Sequence, residues 1–185
     1  MTTKFICLDG PDGGGHSTHA NALAAALRAQ GIDARAYHHE THPDGAVGLA
    51  RVVHYERTRE PLRAGAVMRD GRPCVVVMDR GPWSGLVHAR ALEAQDTRRL
   101  DSGHHVAAAE IALWWQGLPV VLLDASDATL DARLLLRGED PAASHGERAQ
   151  WRRLAAAEGW PVVGTDRPRA DVAADLLALA LRVLA

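Results

Sequence analysis

Residues 8–27 read LDGPDGGGHSTHANALAAAL, an apolar strand end, a glycine-rich turn and an alanine- and leucine-rich helix in that order. Gly10, Gly15 and Ser17 stand where the phosphate-loop pattern GxxxxGK[ST] requires them, while His16 stands where the pattern has lysine. The simpler reading is a tight strand-to-helix turn with Ser17 or Thr18 as a cap. That reading leaves unexplained why four of the five residues from Gly10 to Gly14 are Gly or Asp. Glycines free the backbone N–H groups to converge on phosphate oxygens, and a helix N-terminus adds partial positive charge. The loop predicts an ATP-phosphate site made by Gly10, Gly13, Gly14, Gly15, His16, Ser17 and Thr18, with the Ser17 hydroxyl as a Mg²⁺ ligand.

His16 weakens the electrostatics of that site. Imidazole is shorter than a lysine side chain and, with an ordinary pKa of about 6.5, is largely neutral at pH 7. A bound polyphosphate favours its protonated form. A lost charge-assisted hydrogen bond is worth roughly 1.5–3 kcal/mol, about ten- to a hundred-fold in rate if it acts only in the transition state. Such a deficit slows phosphoryl transfer without abolishing it. Lys4 is the only lysine in the chain, so none from elsewhere is obviously available as a replacement.

Working outward from the loop, short apolar runs alternate with helical patterns. KFICL (4–8), ARAYH (34–38), CVVVM (74–78), PVVLLD (119–124) and WPVVG (160–164) read as strands, the second being the weakest. Helices are expected at about 16–30, 46–70, 82–96, 103–117, 127–137, 145–158 and 170–184. Continuous apolar strands separated by helices predict an α/β fold, a parallel sheet covered on both faces. No repeat, low-complexity tract or long linker divides residues 1–185, so one domain is expected.

Composition narrows the classes. Of 185 residues, 47% are hydrophobic and only 4% aromatic, and Lys+Arg 21 against Asp+Glu 23 leave a formal net charge of -2. An electrostatic nucleic-acid binder would carry a basic excess, so no nucleic-acid partner is expected. Cys7 and Cys74 are too few for a disulfide framework and sit in apolar runs. With no 18-residue apolar segment and too short an apolar run at the start, the expectation is no membrane and a cytoplasmic setting.

The stretch VVVMDRGPWSG (75–85) carries an acid at the end of a hydrophobic strand, where Walker-B-type carboxylates reach Mg²⁺ and its waters. Asp79 takes that role, partly through water, and Arg80 a phosphate. Read without a ligand, Asp79 and Arg80 are a surface pair capping the next helix.

Together, FICLDGPDGGGHSTHANALAAAL (5–27), VVVMDRGPWS (75–84) and PVVLLDASDATLDARLLLRG (119–138) resemble, in order and spacing, the thymidylate kinase family of P-loop nucleoside monophosphate kinases, from residue 4 to about 166. The resemblance implies a P-loop NTPase fold, a five-stranded parallel sheet in the order 2-3-1-4-5. It also implies transfer of phosphate from ATP-Mg²⁺ to a deoxynucleoside monophosphate, with small-molecule nucleotides as substrates and a homodimer as the precedent. On the matching positions, Asp12 approaches the acceptor's 3′-hydroxyl, and Arg57 (or Arg59) reaches its phosphate and base. Arg80 is the arginine of the Asp-Arg signature. Trp83 and Ser84 follow it on the acceptor side, Trp83 being the one tryptophan set apart from the core. Arg133 and Arg137 border a mobile lid at about 137–148, and GTDRP (164–168) is the adenine-side loop.

Arginine suits these roles because its planar fork holds two phosphate oxygens at once. Without a ligand, Arg133, Arg137, Arg148, Arg152 and Arg153 read as a solvated helix face. Besides His16, the departures from the family fall on the acceptor side. His39 stands where an arginine is expected, Gly85 where a polar residue helps read thymine, and His88 where an aromatic one stands. Space at Gly85 suits a pyrimidine with a larger substituent. His38, His39, Glu40 and His42 read as a solvated loop, a phosphate or base contact, or a metal site of no standard zinc spacing. Three functions follow: a monophosphate kinase, a nucleotide-binding protein without turnover, and a kinase of a nucleoside or modified base.

Overall fold

In the computed structural model, residues 3–38, 74–81, 83, 84, 87 and 117–185 are described. The five apolar runs form five strands: β1 (Lys4–Asp9), β2 (Ala34–His38), β3 (Val75–Asp79), β4 (Val120–Asp124) and β5 (Val162–Gly164). All pair in parallel in one sheet of order β2-β3-β1-β4-β5. The parallel α/β sheet is the one that the apolar runs predict, and its strand order is the one that the family resemblance implies. The helices are α1 (His16–Ala29), α2 (Asp127–Leu136), α3 (His145–Glu158) and α4 (Arg169–Leu184), with a 3-10 turn at Pro141–Ser144 ahead of α3. Of the expected helices, 46–70 and all but the last residue of 103–117 lie outside the described residues, as does most of 82–96.

Strand alternation sorts the core onto two faces. Ile6, Leu8, Val75, Val77, Val121 and Leu123 pack with Leu23 and Leu27 of α1 and Val172 and Leu176 of α4. Cys7, Val76, Met78, Val120 and Leu122 point the other way, onto Trp83, Val87 and the Trp151–Leu154 stretch of α3. Within α1 the buried apolar residues are Ala20, Leu23, Ala24 and Leu27, the spacing of one helical face.

Two boundaries differ from expectation for one reason. Pro119 and Pro161 have no N–H to give the ladder, so β4 and β5 begin after them. Their carbonyls still accept, from Cys7 N at 2.8 Å and from Leu122 N at 2.9 Å. Register then decides what meets at the carboxyl ends of the strands. Leu8 and His38 both stand opposite Asp79, which brings the ends of β1, β2 and β3 to one edge. Lys4 is at the other end of β1, donating to the Leu184 carbonyl at 2.8 Å. Among the described residues no helix is long and apolar enough to cross a membrane.

Candidate functional site

The glycine loop leaves β1 at Asp9 and enters α1 through Gly15, which caps the helix in the left-handed region at φ 89°. Glycine is required at position 10 for a second reason, since a Cβ there would collide with the Leu123 carbonyl of β4. No acid occupies the first turn of α1, and among the described residues no side chain caps its leading N–H groups and positive dipole end. Ser17 and Thr18 are exposed at that end.

His16 folds back beneath the loop. Its Nε2 lies 3.2 and 3.1 Å from the points where Cβ atoms on Gly10 and Gly14 would stand. The side chain is buried, and Nε2 has no hydrogen-bond partner among the described residues. Burial holds the imidazole well below its ordinary pKa, with the charges of Arg80, His19 and Arg137 adding to the effect and the Asp9 backbone opposing it. The lysine position therefore holds a neutral ring in the ligand-free protein. Cationic charge comes to it from arginines.

One of these, Arg80, adopts φ 67°, the one positive φ at a non-glycine among the described residues. Its backbone N–H donates to the Leu8 carbonyl at 3.0 Å and its guanidinium to the Asp12 carboxylate. The loop acid and the signature arginine, 68 residues apart, are thus partners. Beside them, Asp79 is buried at 4% exposure, with Oδ2 on His38 Nδ1 at 2.6 Å and Oδ1 without a partner among the described residues. A buried carboxylate oxygen lacking a donor is one that a cation or its water shell can satisfy.

The arginines of α2 and α3 divide by geometry. Arg133 donates to the Gly13 carbonyl at 2.9 Å, and to Thr165 Oγ1 and O at 2.9 and 2.7 Å. It ties the loop to the 164–168 segment. Arg137 is half-exposed and meets Glu139 at 3.0 Å. Arg148 departs furthest from a solvated helix face. It is 1% exposed and bonded to Asp131 at 2.7 Å and Ser144 Oγ at 3.0 Å. Arg152 spans Asp124 and Asp127, both at 2.8 Å, and these carboxylates push its pKa up.

Two acceptor-side expectations meet other surroundings. Trp83 is buried in the core, edge-on to Trp160 with ring centroids 5.3 Å apart. In the described surroundings it is a core residue rather than an open stacking face. Ser84 is also buried, and its hydroxyl donates to Asp9 Oδ1 at 2.8 Å. His39, Arg57, Arg59, Gly85 and His88 lie outside the described residues.

Asp9 was not among the sequence candidates. Fully buried, it accepts from Gly10 N and Gly81 N at 3.2 Å each as well as from Ser84. Burial pushes its carboxyl up to about 7, against the pull of Arg80 and these donors. The signal was present in the sequence: a carboxylate ending an apolar run that the sheet buries on both faces.

The five-stranded order, with a glycine loop passing from β1 into α1, defines an α/β protein of P-loop kinase architecture. No family model matches the chain. It is similar to the thymidylate kinase of Rhizorhabdus wittichii, 31% identical over 125 residues covering 59% of this chain and 60% of that protein. It is also 45% identical over 64 residues to the thymidylate kinase of Pseudomonas syringae pv. syringae, covering 35% of this chain and 26% of that one. The chain thus spans less than two thirds of the length of either relative. The likeness is to nucleotide kinases of the thymidylate kinase type.

Proposed function

We propose that the chain is a single-domain phosphotransferase moving the γ-phosphate of ATP to a deoxynucleoside monophosphate. The observation that carries this reading is the meeting, at one sheet edge, of an uncapped α1 N-terminus with Asp12, Asp79 and Arg80. A binding module for ATP alone has no need of the Asp12–Arg80 pair beside its phosphate loop.

Phosphoryl transfer asks a protein for positioning and charge neutralisation rather than covalent chemistry. The N–H groups of Gly13 and of Gly15 to Thr18 receive the donor phosphates, while Gly14 N closes the loop on the Pro11 carbonyl at 3.0 Å. Arg80 exchanges Asp12 for the acceptor phosphate, leaving Asp12 for the sugar hydroxyl. Arg137, at the edge of a lid spanning about 137–148, adds a permanent cation beside His16, whose ring is neutral until nucleotide binds. Arg133 fixes the adenine-side loop to Gly13. On the acceptor side, His39, Arg57 and His88 complete the pocket, and Gly85 gives room for a substituted pyrimidine. The protein works as a cytoplasmic homodimer on small nucleotides.

The residues present fit a Mg²⁺ ion carried in with ATP. Asp79 Oδ1 has no partner among the described residues, and Ser17 is exposed on the first turn of α1. Among the described residues no group of three His, Cys, Asp or Glu side chains could hold a metal by itself, so an ion at Asp79 and Ser17 would need the phosphates of ATP as further ligands. Bound there, the ion offsets phosphate charge.

A second reading, nucleotide binding without turnover, draws on one observation: the lysine position is filled by a buried, neutral imidazole. ADP release from ATP-Mg²⁺ with a panel of nucleoside monophosphates and free nucleosides separates the readings. Turnover with a deoxynucleoside monophosphate supports the kinase. Calorimetric ATP binding with no turnover supports the second reading. Faster phosphorylation of a free nucleoside would reassign Arg80 and favour a nucleoside kinase.

A further inference from the structure

The glycine loop and the Arg80 turn come from distant parts of the sequence, yet one carboxylate spans them. Asp9 Oδ1 accepts from Gly10 N at 3.2 Å, at the mouth of the loop, and from Ser84 Oγ at 2.8 Å. Its Oδ2 accepts from Gly81 N, the peptide following Arg80, at 3.2 Å. On the other side of Arg80, its own N–H is held by the Leu8 carbonyl, and the turn closes with Ser84 N on the Gly81 carbonyl at 3.1 Å. Arg80 is thus gripped on both sides by the end of β1. It needs this grip, because a left-handed φ at a residue bearing a Cβ persists only where its surroundings over-determine it. The approach is also close. A Cβ at Gly81 would collide with Cys7 Sγ, so the turn lies directly on β1.

We infer that Asp9 is a positioning residue: its carboxylate locks the Arg80–Gly81 turn to the glycine loop and so aims the Arg80 guanidinium at the acceptor phosphate. The inference rests on the proposed role of Arg80. Burying a carboxylate without a full ion pair is costly, and here the charge of Arg80 and the three donors oppose that cost. Arg80 is also the first of the influences that draw the Asp9 carboxyl back down. Asp9 therefore acts on the site through Arg80 and touches no substrate itself.

The test uses the full chain with two readouts. Amide hydrogen exchange in Asp9→Asn should rise at least ten-fold at Arg80 and Gly81 while the amides of α4 stay as in wild type. In turnover, Asp9→Asn should raise the KM for the monophosphate about ten-fold and leave the KM for ATP within two-fold. Arg80→Gln should do the same, and the double variant should be no worse than Arg80→Gln alone. If Asp9→Asn does not fold, Ser84→Ala removes one anchor and should show the same pattern at smaller size. Unchanged exchange at Arg80 and Gly81, equal losses for both substrates, or effects that multiply with Arg80→Gln would overturn the inference. If wild type turns over no monophosphate, the exchange result still decides whether Asp9 grips the turn, and the failure belongs to the proposed function.

Discussion

Arg80 donates its guanidinium to Asp12 from a left-handed backbone, so the signature arginine is both conformationally strained and already partnered before any ligand arrives. Only glycine enters that region without penalty. Arg80→Gly and Arg80→Ala both remove the guanidinium, but Gly alone relieves the backbone. Arg80→Gly should be more stable than Arg80→Ala by about 1 kcal/mol. Denaturant titration giving equal stabilities would mean that the turn relaxes once the side chain is gone.

His16 should respond to pH and to nucleotide in a defined sense. Its folded-state pKa lies below its ordinary value, mainly through burial. Stability from the neutral ring is present above the unfolded pKa of about 6.5 and is lost as pH falls towards the folded value. His16→Gln should flatten that acid limb in thermal melts taken between pH 7 and pH 5. In NMR titrations at pH 6.5 the imidazole should be neutral without ligand and protonated with ATP-Mg²⁺. A ring neutral in both states would leave Arg80 and Arg137 as the whole replacement for lysine.

Asp9 should act in the opposite direction. Its carboxyl is raised from 3.8 to about 7, with burial as the leading cause. A group raised on folding contributes stability that is complete below its unfolded pKa and is lost as pH climbs through its folded one. Relative to Asp9→Asn, wild type should lose stability from about pH 4 to above pH 7, by up to roughly 4 kcal/mol. Parallel stability curves for the two proteins across that window would show that Asp9 is ionised in the fold and that its donors meet the cost of burial.

Arg148 should matter to stability more than a surface arginine does. It is 1% exposed and tied to Asp131, which also meets His145 at 3.2 Å. Truncating one partner of a buried pair typically costs about 3–5 kcal/mol. Asp131 is partly exposed, so Arg148→Ala should fall at or below the lower end of that range. Arg148→Lys should not restore the loss, because a point charge cannot reproduce bonds to Asp131, Ser144 and the Asp127 backbone. Chemical denaturation checks both. An Arg148→Ala protein as stable as wild type would restore the reading of a solvated face.

What could be read in advance follows from how local each signal is. The strand, glycine loop and helix from Lys4 to Ala29 are contiguous, and the apolar runs of β3 and β4 are strands that the sheet buries on both faces. Arg148 was readable too, since it shares a helical face with Trp151 and Ala155, three and seven residues on. The surroundings of Asp9 were not. Its partners Gly81 and Ser84 are 72 and 75 residues away, and only the register of Leu8 with Asp79 brings them together. Trp83 shows the same limit: nothing near it in sequence tells which side of the sheet the helix start will face.

Cys7 turns the tightness of this junction into a clock. Its thiol has no exposed surface, lies against the turn at Gly81, and is held well above its ordinary pKa, first by burial and then by Asp9. A disulfide reagent cannot modify it while β1 and the Arg80 turn stay together. In a Cys74→Ser background, the labelling rate of Cys7 would count how often that contact and the core around Met78, Leu122 and Trp151 open to the reagent. Slower labelling in the presence of nucleotide would measure, without any turnover, how far ligand binding draws the two segments shut.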